Sequence, residues 1–149
     1  MKCIIHVGFH HTGTTSLQTF LSQQRKFLKE NRIIYPVSGL FGKQHSLLPG
    51  CFISNHPFLP RDRIYDIDHY IAELSKEIKK FSYELCIISS EVFTELITKK
   101  PEKVKLIIQK LKKHFDSLEI LITTRDKKYR ALSQLKAMLR YSSSKKQFR

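Results

Sequence analysis

The residues best suited to chemistry stand near the amino terminus, in the stretch GFHHTGTTS from Gly8 to Ser16. Two glycines five apart, followed by hydroxyl residues, have the spacing of a loop that cradles phosphate-like oxygens. Successive backbone N–H groups in such a turn point inward as an anion nest. The helix that follows adds the partial positive charge of its first turn. Gly13 lets the backbone approach the anion closely, and the hydroxyls of Thr14, Thr15 and Ser16 can donate to its oxygens. A nucleoside triphosphatase needs a lysine at position 14 to reach the β- and γ-phosphates, and Thr14 cannot. The other strand ends, Ser89-Ser90-Glu91 and Thr123-Thr124-Arg125, offer no convincing carboxylate for Mg²⁺. Hydrolysis of ATP or GTP is disfavoured.

The elements that must position this loop alternate between strand and helix. CIIHVGF (3–9), RIIYP (32–36), ELCIISSE (84–91) and SLEILITTR (117–125) are short apolar runs of strand type. Helical spacing of apolar residues covers about 14–31, 66–81, 101–115 and 127–141, and residues 37–63 are rich in glycine and proline. This alternation predicts an α/β fold with an open parallel sheet flanked by helices, as one domain over residues 1–141 with a polar basic tail over 142–149. Ligands of such sheets bind beyond the carboxyl ends of the strands. The polar residues of interest fall there: the loop from Phe9 to Ser16, the Ser89–Glu91 turn and the Thr123–Arg125 turn.

Bulk composition narrows the partners. The 149 residues are 41% hydrophobic and 27% charged, ordinary for one globular domain. No run of 18 apolar residues exists and no signal-peptide core precedes the loop, so the expectation is a cytoplasmic protein without a transmembrane segment. Three scattered cysteines without a CxxC pair point to neither a disulfide framework nor structural zinc. His6, His10 and His11 do not share one strand face and lack a completing Cys or carboxylate, so no metal is expected, and His6 reads as a strand residue packed in the sheet. The net charge of +14 implies an anionic partner, although much of it lies on solvated helix faces such as that of KPEKVKLIIQKLKKHF. No aromatic-rich RNA-binding signature accompanies it, which argues against nucleic acid.

HVGFHHTGTTSLQTFL (6–21), RIIYP after it and ILITTRDKKYRALSQL (120–135) together resemble the sulfotransferases that use 3′-phosphoadenosine 5′-phosphosulfate (PAPS). The resemblance covers roughly residues 3–40 and 85–140. It implies a P-loop NTPase-like architecture and PAPS as co-substrate, with no metal. By that resemblance His10, His11, Thr12, Gly13, Thr14, Thr15 and Ser16 hold the 5′-phosphosulfate. Arg125 and Ser133, eight residues apart, match the family's pair for the 3′-phosphate. His11 stands where the family's loop has lysine. The family's usual C-terminal segment, which folds over the nucleotide, has no counterpart in the 149 residues, so the chain reads as a fragment, a minimal member or a degenerate one.

The expected reaction moves a sulfuryl group from PAPS to a hydroxyl or amine of an acceptor of carbohydrate or small-molecule type. The loop would hold the donor, and His11 would stand in for the lysine. The acceptor's proton needs a base. His45, in the long loop, and Glu91, at the end of the third strand, are the candidates, with His45 slightly preferred. The first alternative is a non-catalytic domain of the same fold that binds nucleic acid or a sulfated glycan. The next is a P-loop nucleotide kinase or NTPase.

Overall fold

A computed structural model of the chain describes residues 1–9, 12–53, 56, 59–60, 66–129 and 131–133. Its centre is β1 (Lys2–Gly8), a run of β-branched and small apolar residues that is buried on both faces from Ile5 onward. β1 pairs in parallel with β3 (Leu85–Ser89) on one side and β4 (Ser117–Thr123) on the other, and β2 (Ile33–Ile34) pairs in parallel with β3. The sheet order is therefore β2-β3-β1-β4.

Parallel neighbours need long crossovers, and helices supply them. α1 (Thr14–Gln23) and α2 (Arg25–Glu30) join β1 to β2, and α3 (Leu47–Gly50) and α4 (Ile67–Ile78) join β2 to β3. α5 (Val92–Lys99) and α6 (Pro101–Lys112) join β3 to β4. The expected α/β fold with a parallel sheet is thus present, with three differences of detail. The helix expected over 14–31 breaks at Gln24, because the Arg25 guanidinium takes the Ser22 carbonyl at 2.9 Å and the Tyr35 carbonyl at 3.2 Å. β2 shrinks to two residues, confined between Arg32 in a left-handed conformation (φ 59°) and Pro36, which has no N–H to donate. The segment after Glu91 forms a helix of its own, α5.

Side-chain alternation along the strands divides the interior. Cys3, Ile5 and Val7 of β1, with Cys86 and Ile88 of β3, face a core closed by Leu74 of α4, Leu96 of α5, and Ile107 and Leu111 of α6. The apolar stripes of α4 and α6 are those their helical spacing requires. The opposite face packs Leu21 of α1, Leu28 of α2 and Tyr35, with Ile87 against them. His6 and Ser89 belong by parity to this second face and are register partners. β4 is an edge strand whose Ile120, Leu121 and Ile122 are about half exposed. The long loop is tied down at its start by Glu77, whose carboxylate accepts from the backbone N–H groups of Val37 and Ser38 at 2.8 and 2.6 Å. Among the described residues no helix is long and apolar enough to cross a membrane.

Candidate functional site

The crossover leaving β1 passes over β3 to β2, and the later crossover brings β4 to the other side of β1. The connection direction thus reverses at β1, and the crevice beyond its carboxyl end is where such a sheet offers a ligand site. The glycine-threonine loop follows β1 at that end and leads into α1.

The loop is shaped locally. Phe9's carbonyl accepts from both the N–H and the hydroxyl of Thr12, at 3.3 and 2.6 Å, which closes a tight turn. His10 and His11 lie outside the described residues. Gly13 follows at φ 90° and caps α1 without a side chain. An L-residue there would carry the steric cost of the left-handed region, about 1–2 kcal/mol. Ser16 N–H turns back to the Gly13 carbonyl at 3.2 Å, while among the described residues the N–H groups of Thr14 and Thr15 have no partner. Among the described residues these two donors of the helix's first turn are unpaired, and that turn carries no acidic residue.

Gly8 is required for a different reason, which is space. A Cβ on Gly8 would sit 2.0 Å from Thr14 Cγ2 and 2.8 Å from Thr123 Oγ1. Both are β-branched side chains with little freedom to retreat. Gly8→Ala is expected to destabilise the fold by about 1–3 kcal/mol through overpacking, and to displace the loop. Urea unfolding of the two proteins checks this, and equal midpoints would show that the loop has room after all.

Glu91 reaches the loop from the far side. It stands in helical conformation just before α5, and the Thr14 hydroxyl donates to its carboxylate. Its own N–H donates to Gln44 Oε1 at 3.3 Å, and Thr94, one turn along, donates its hydroxyl to the Gly8 carbonyl at 2.9 Å. Of the two expected bases, Glu91 is thus brought to the loop.

His45 is taken away from it, which corrects the preference the sequence suggested. The ring is fully buried against Tyr35, edge to face at 4.6 Å between centroids. Its Nδ1 accepts the Ser89 N–H at 3.1 Å, and its Nε2–H donates to the Pro36 carbonyl at 2.9 Å. Burial pushes its pKa down to about 4. Lone pair and proton are both committed to the backbone, so His45 braces the end of β3 and has no nitrogen to offer an acceptor.

Arg125 leaves β4 two residues after Thr123 and is exposed, its guanidinium lying 5.9 Å from the Tyr129 ring centroid. Helical residues 127–129 start after Asp126, whose Oδ1 accepts the Lys128 N–H at 2.9 Å, and Ser133 is half-buried on the helical residues 131–133.

The sequence places His6 in the sheet but not the polar cluster it joins at the ends of β1, β3 and β4. His6 is buried, with Nδ1 at 2.8 Å from Ser89 Oγ and Nε2 at 3.1 Å from Thr123 Oγ1. Gln18 of α1 donates to the same Ser89 hydroxyl at 3.2 Å. Burial lowers the pKa of His6, while the Glu91 charge opposes the shift. Strand parity held a signal: His6 shares a face with Gly8, and Ser89 ends the neighbouring strand. Among the described residues no three His, Cys, Asp or Glu converge on a metal position. Comparison with protein families, with curated proteins and with solved structures finds no match to this chain.

Proposed function

We propose that the chain is a sulfotransferase-type domain of P-loop-like architecture, which binds PAPS at the 8–16 loop and transfers its sulfuryl group to a hydroxyl or amine. What supports the reading is Gly13 at φ 90°, which starts α1 at the switch point of a parallel sheet, with the Thr14 and Thr15 N–H groups unpaired among the described residues. The N–H donors of a helix N-terminus suit a phosphosulfate and need no lysine to bind it. The catalytic lysine's task falls to His11, whose protonated form a neighbouring anion favours. Arg125 is assigned to the 3′-phosphate, where a guanidinium fork fits geometrically, and Ser133 to the same group.

In the transfer, the acceptor's oxygen or nitrogen bonds to sulfur as the bond from sulfur to the bridging oxygen breaks. 3′-Phosphoadenosine 5′-phosphate leaves, with charge growing on its oxygen beside the loop donors. The acceptor's proton passes to the Glu91 carboxylate, which already takes a hydrogen bond from Thr14.

Calorimetric titration with 3′-phosphoadenosine 5′-phosphate, against ADP·Mg²⁺, tests the reading. Selective binding of the first is expected. Arg125→Ala should weaken it about tenfold or more, as loss of a charged hydrogen bond does, and Ser133→Ala should weaken it less. Preference for ADP·Mg²⁺ would favour a kinase or NTPase. Binding of polyanions alone, with a steep salt dependence, would favour the non-catalytic alternative.

A further inference from the structure

We propose that β4 is the edge through which two copies of this chain pair, as antiparallel neighbours in one extended sheet. The proposal is independent of what the 8–16 loop binds.

β4 is the outer strand of the order β2-β3-β1-β4, and β1 is the element it packs against. An unpaired edge carries a row of outward N–H and C=O groups that can template another strand. Folds blunt such edges with shortness, proline, a bulge or an outward charge. β4 runs seven residues, SLEILIT, without proline, and its register with β1 is unbroken from Ser117 to Thr123. Its single charge, Glu119, is drawn back to Lys2 of β1 at 2.7 Å. Both faces of the strand are apolar and bare. The register sets Ile120 and Ile122 beside Ile5 and Val7, on the core side, and Leu121 beside His6, on the other. Leu17 and Phe20 of α1, the helix packed on that other face, are exposed as well. Parallel sheets are covered on both faces, yet among the described residues neither helical layer extends over β4.

The strand's own pattern says what fits it. Alternate residues turn their backbone groups outward, so a two-fold antiparallel pair must be centred on a residue. Centred on Ile120, that residue meets its own copy, Leu118 meets Ile122, and Ser117 meets Thr123. All seven residues then pair, and the core-side row is apolar throughout. Glu119 falls opposite Leu121 and keeps Lys2. Centred on Glu119, two carboxylates would face each other, which destabilises a ladder. Centred on Leu121, Ser117 and Leu118 drop out of the pairing. Just beyond the strand, the Ile120 register also sets Arg125 of one copy beside Asp116 of the other, both exposed. Symmetry makes this opposite-charge contact twice. The net charge of +14 opposes association, but its long-range part is screened beyond about 8 Å at physiological salt. The two 8–16 loops lie at opposite ends of the extended sheet, each served by its own chain.

Sedimentation and disulfide trapping test this. At about 150 mM salt the parent is expected to pass from monomer to dimer within about 1–100 μM. Ile120→Lys sets two ammonium groups opposite each other on the axis. It should raise the dimer Kd about a hundredfold or more, with an unchanged circular dichroism spectrum, because the side chain is already about half exposed. Trapping with oxidised glutathione reads the register. Ile120→Cys should cross-link to its own copy. Leu118→Cys alone should not, whereas Leu118→Cys mixed with Ile122→Cys should. The parent, with its own three cysteines, is the control. A parent that stays monomeric over the whole range overturns the proposal. If its β4 amides are then protected from hydrogen exchange, the cover belongs to residues 134–149 of the same chain. A dimer that survives Ile120→Lys pairs through another surface, and a dimer that Ile120→Cys fails to trap does not have this register; either overturns the pairing. If Ile120→Lys does not fold, the cysteine set decides. Each of these outcomes leaves the loop reading untouched.

Discussion

Under the proposed sulfotransferase function, Glu91→Gln is expected to slow sulfuryl transfer by about 10²- to 10⁴-fold, the usual contribution of a general base, while 3′-phosphoadenosine 5′-phosphate still binds within about twofold of the parent. The substitution is chosen for what it keeps. The Thr14 hydroxyl donates to a carboxylate oxygen of Glu91, and a glutamine amide oxygen can accept the same bond. The loop stays anchored and only basicity is lost. Glu91→Ala would remove the anchor as well, and so could not separate the two roles. Rate and binding must be measured on the same preparation. A rate that survives Glu91→Gln would move the base elsewhere. A rate and an affinity that fall together would make Glu91 an anchor of the loop and not a base.

Acid should destabilise the protein through His45. In the fold the ring is neutral, with its pKa pushed down to about 4 by burial, whereas in the unfolded chain an exposed histidine titrates near 6.5. Between those values the unfolded state binds more protons, so stability rises with pH across the window. The contribution is fully present above pH 6.5 and is lost as pH falls from 6.5 to 4, by about 3 kcal/mol in all. His6, also lowered by burial, acts in the same direction. Denaturant titrations at pH 7, 5.5 and 4.5 would measure the slope. His45→Gln can still accept from Ser89 N–H and donate to the Pro36 carbonyl, so it should fold, with lower stability at pH 7. Its stability should fall less steeply below pH 6.5. Parallel pH curves for the two proteins would sink the idea that a buried neutral His45 sets acid lability.

The contrast between Glu91 and His45 shows where reading along the chain stops. Both are polar residues at plausible places, one at a strand end and one in a loop. Local pattern ranked His45 slightly higher, because long loops often carry function. The ring's actual partners are the Ser89 N–H, 44 positions away, and the Pro36 carbonyl. Burial of that kind is set by how the loop packs on the end of β3, and neither spacing nor composition encodes it. The sequence reads His6 as a strand residue packed in the sheet, which it is, but neither its partners nor those of Gln18 are legible there, for the same reason. Each reads as an ordinary residue of its element until a hydrogen bond spanning 71 or 83 positions joins it to Ser89.

By itself, the sequence determined the features that depend on near neighbours. The apolar runs around Ile5 and Ile88 made strands, and the stripes Ile67–Ile71–Leu74–Ile78 and Val104–Ile107–Leu111 made the buried faces of α4 and α6. Their alternation made the sheet parallel, since each strand had to be reached by a crossover. Gly8 and Gly13 marked the loop because backbone conformation and close approach are local demands, read from residue type and spacing. Only the tertiary structure decided the order β2-β3-β1-β4, the shortness of β2, the commitment of His45 to the backbone and the polar cluster that joins Gln18, His6, Ser89 and Thr123. These depend on which strand ends lie side by side and on which polar groups lose their water there. A buried donor or acceptor must find a partner in the fold at a cost of about 1–3 kcal/mol if it does not. The partners it finds are chosen by the packing of elements far apart in the chain.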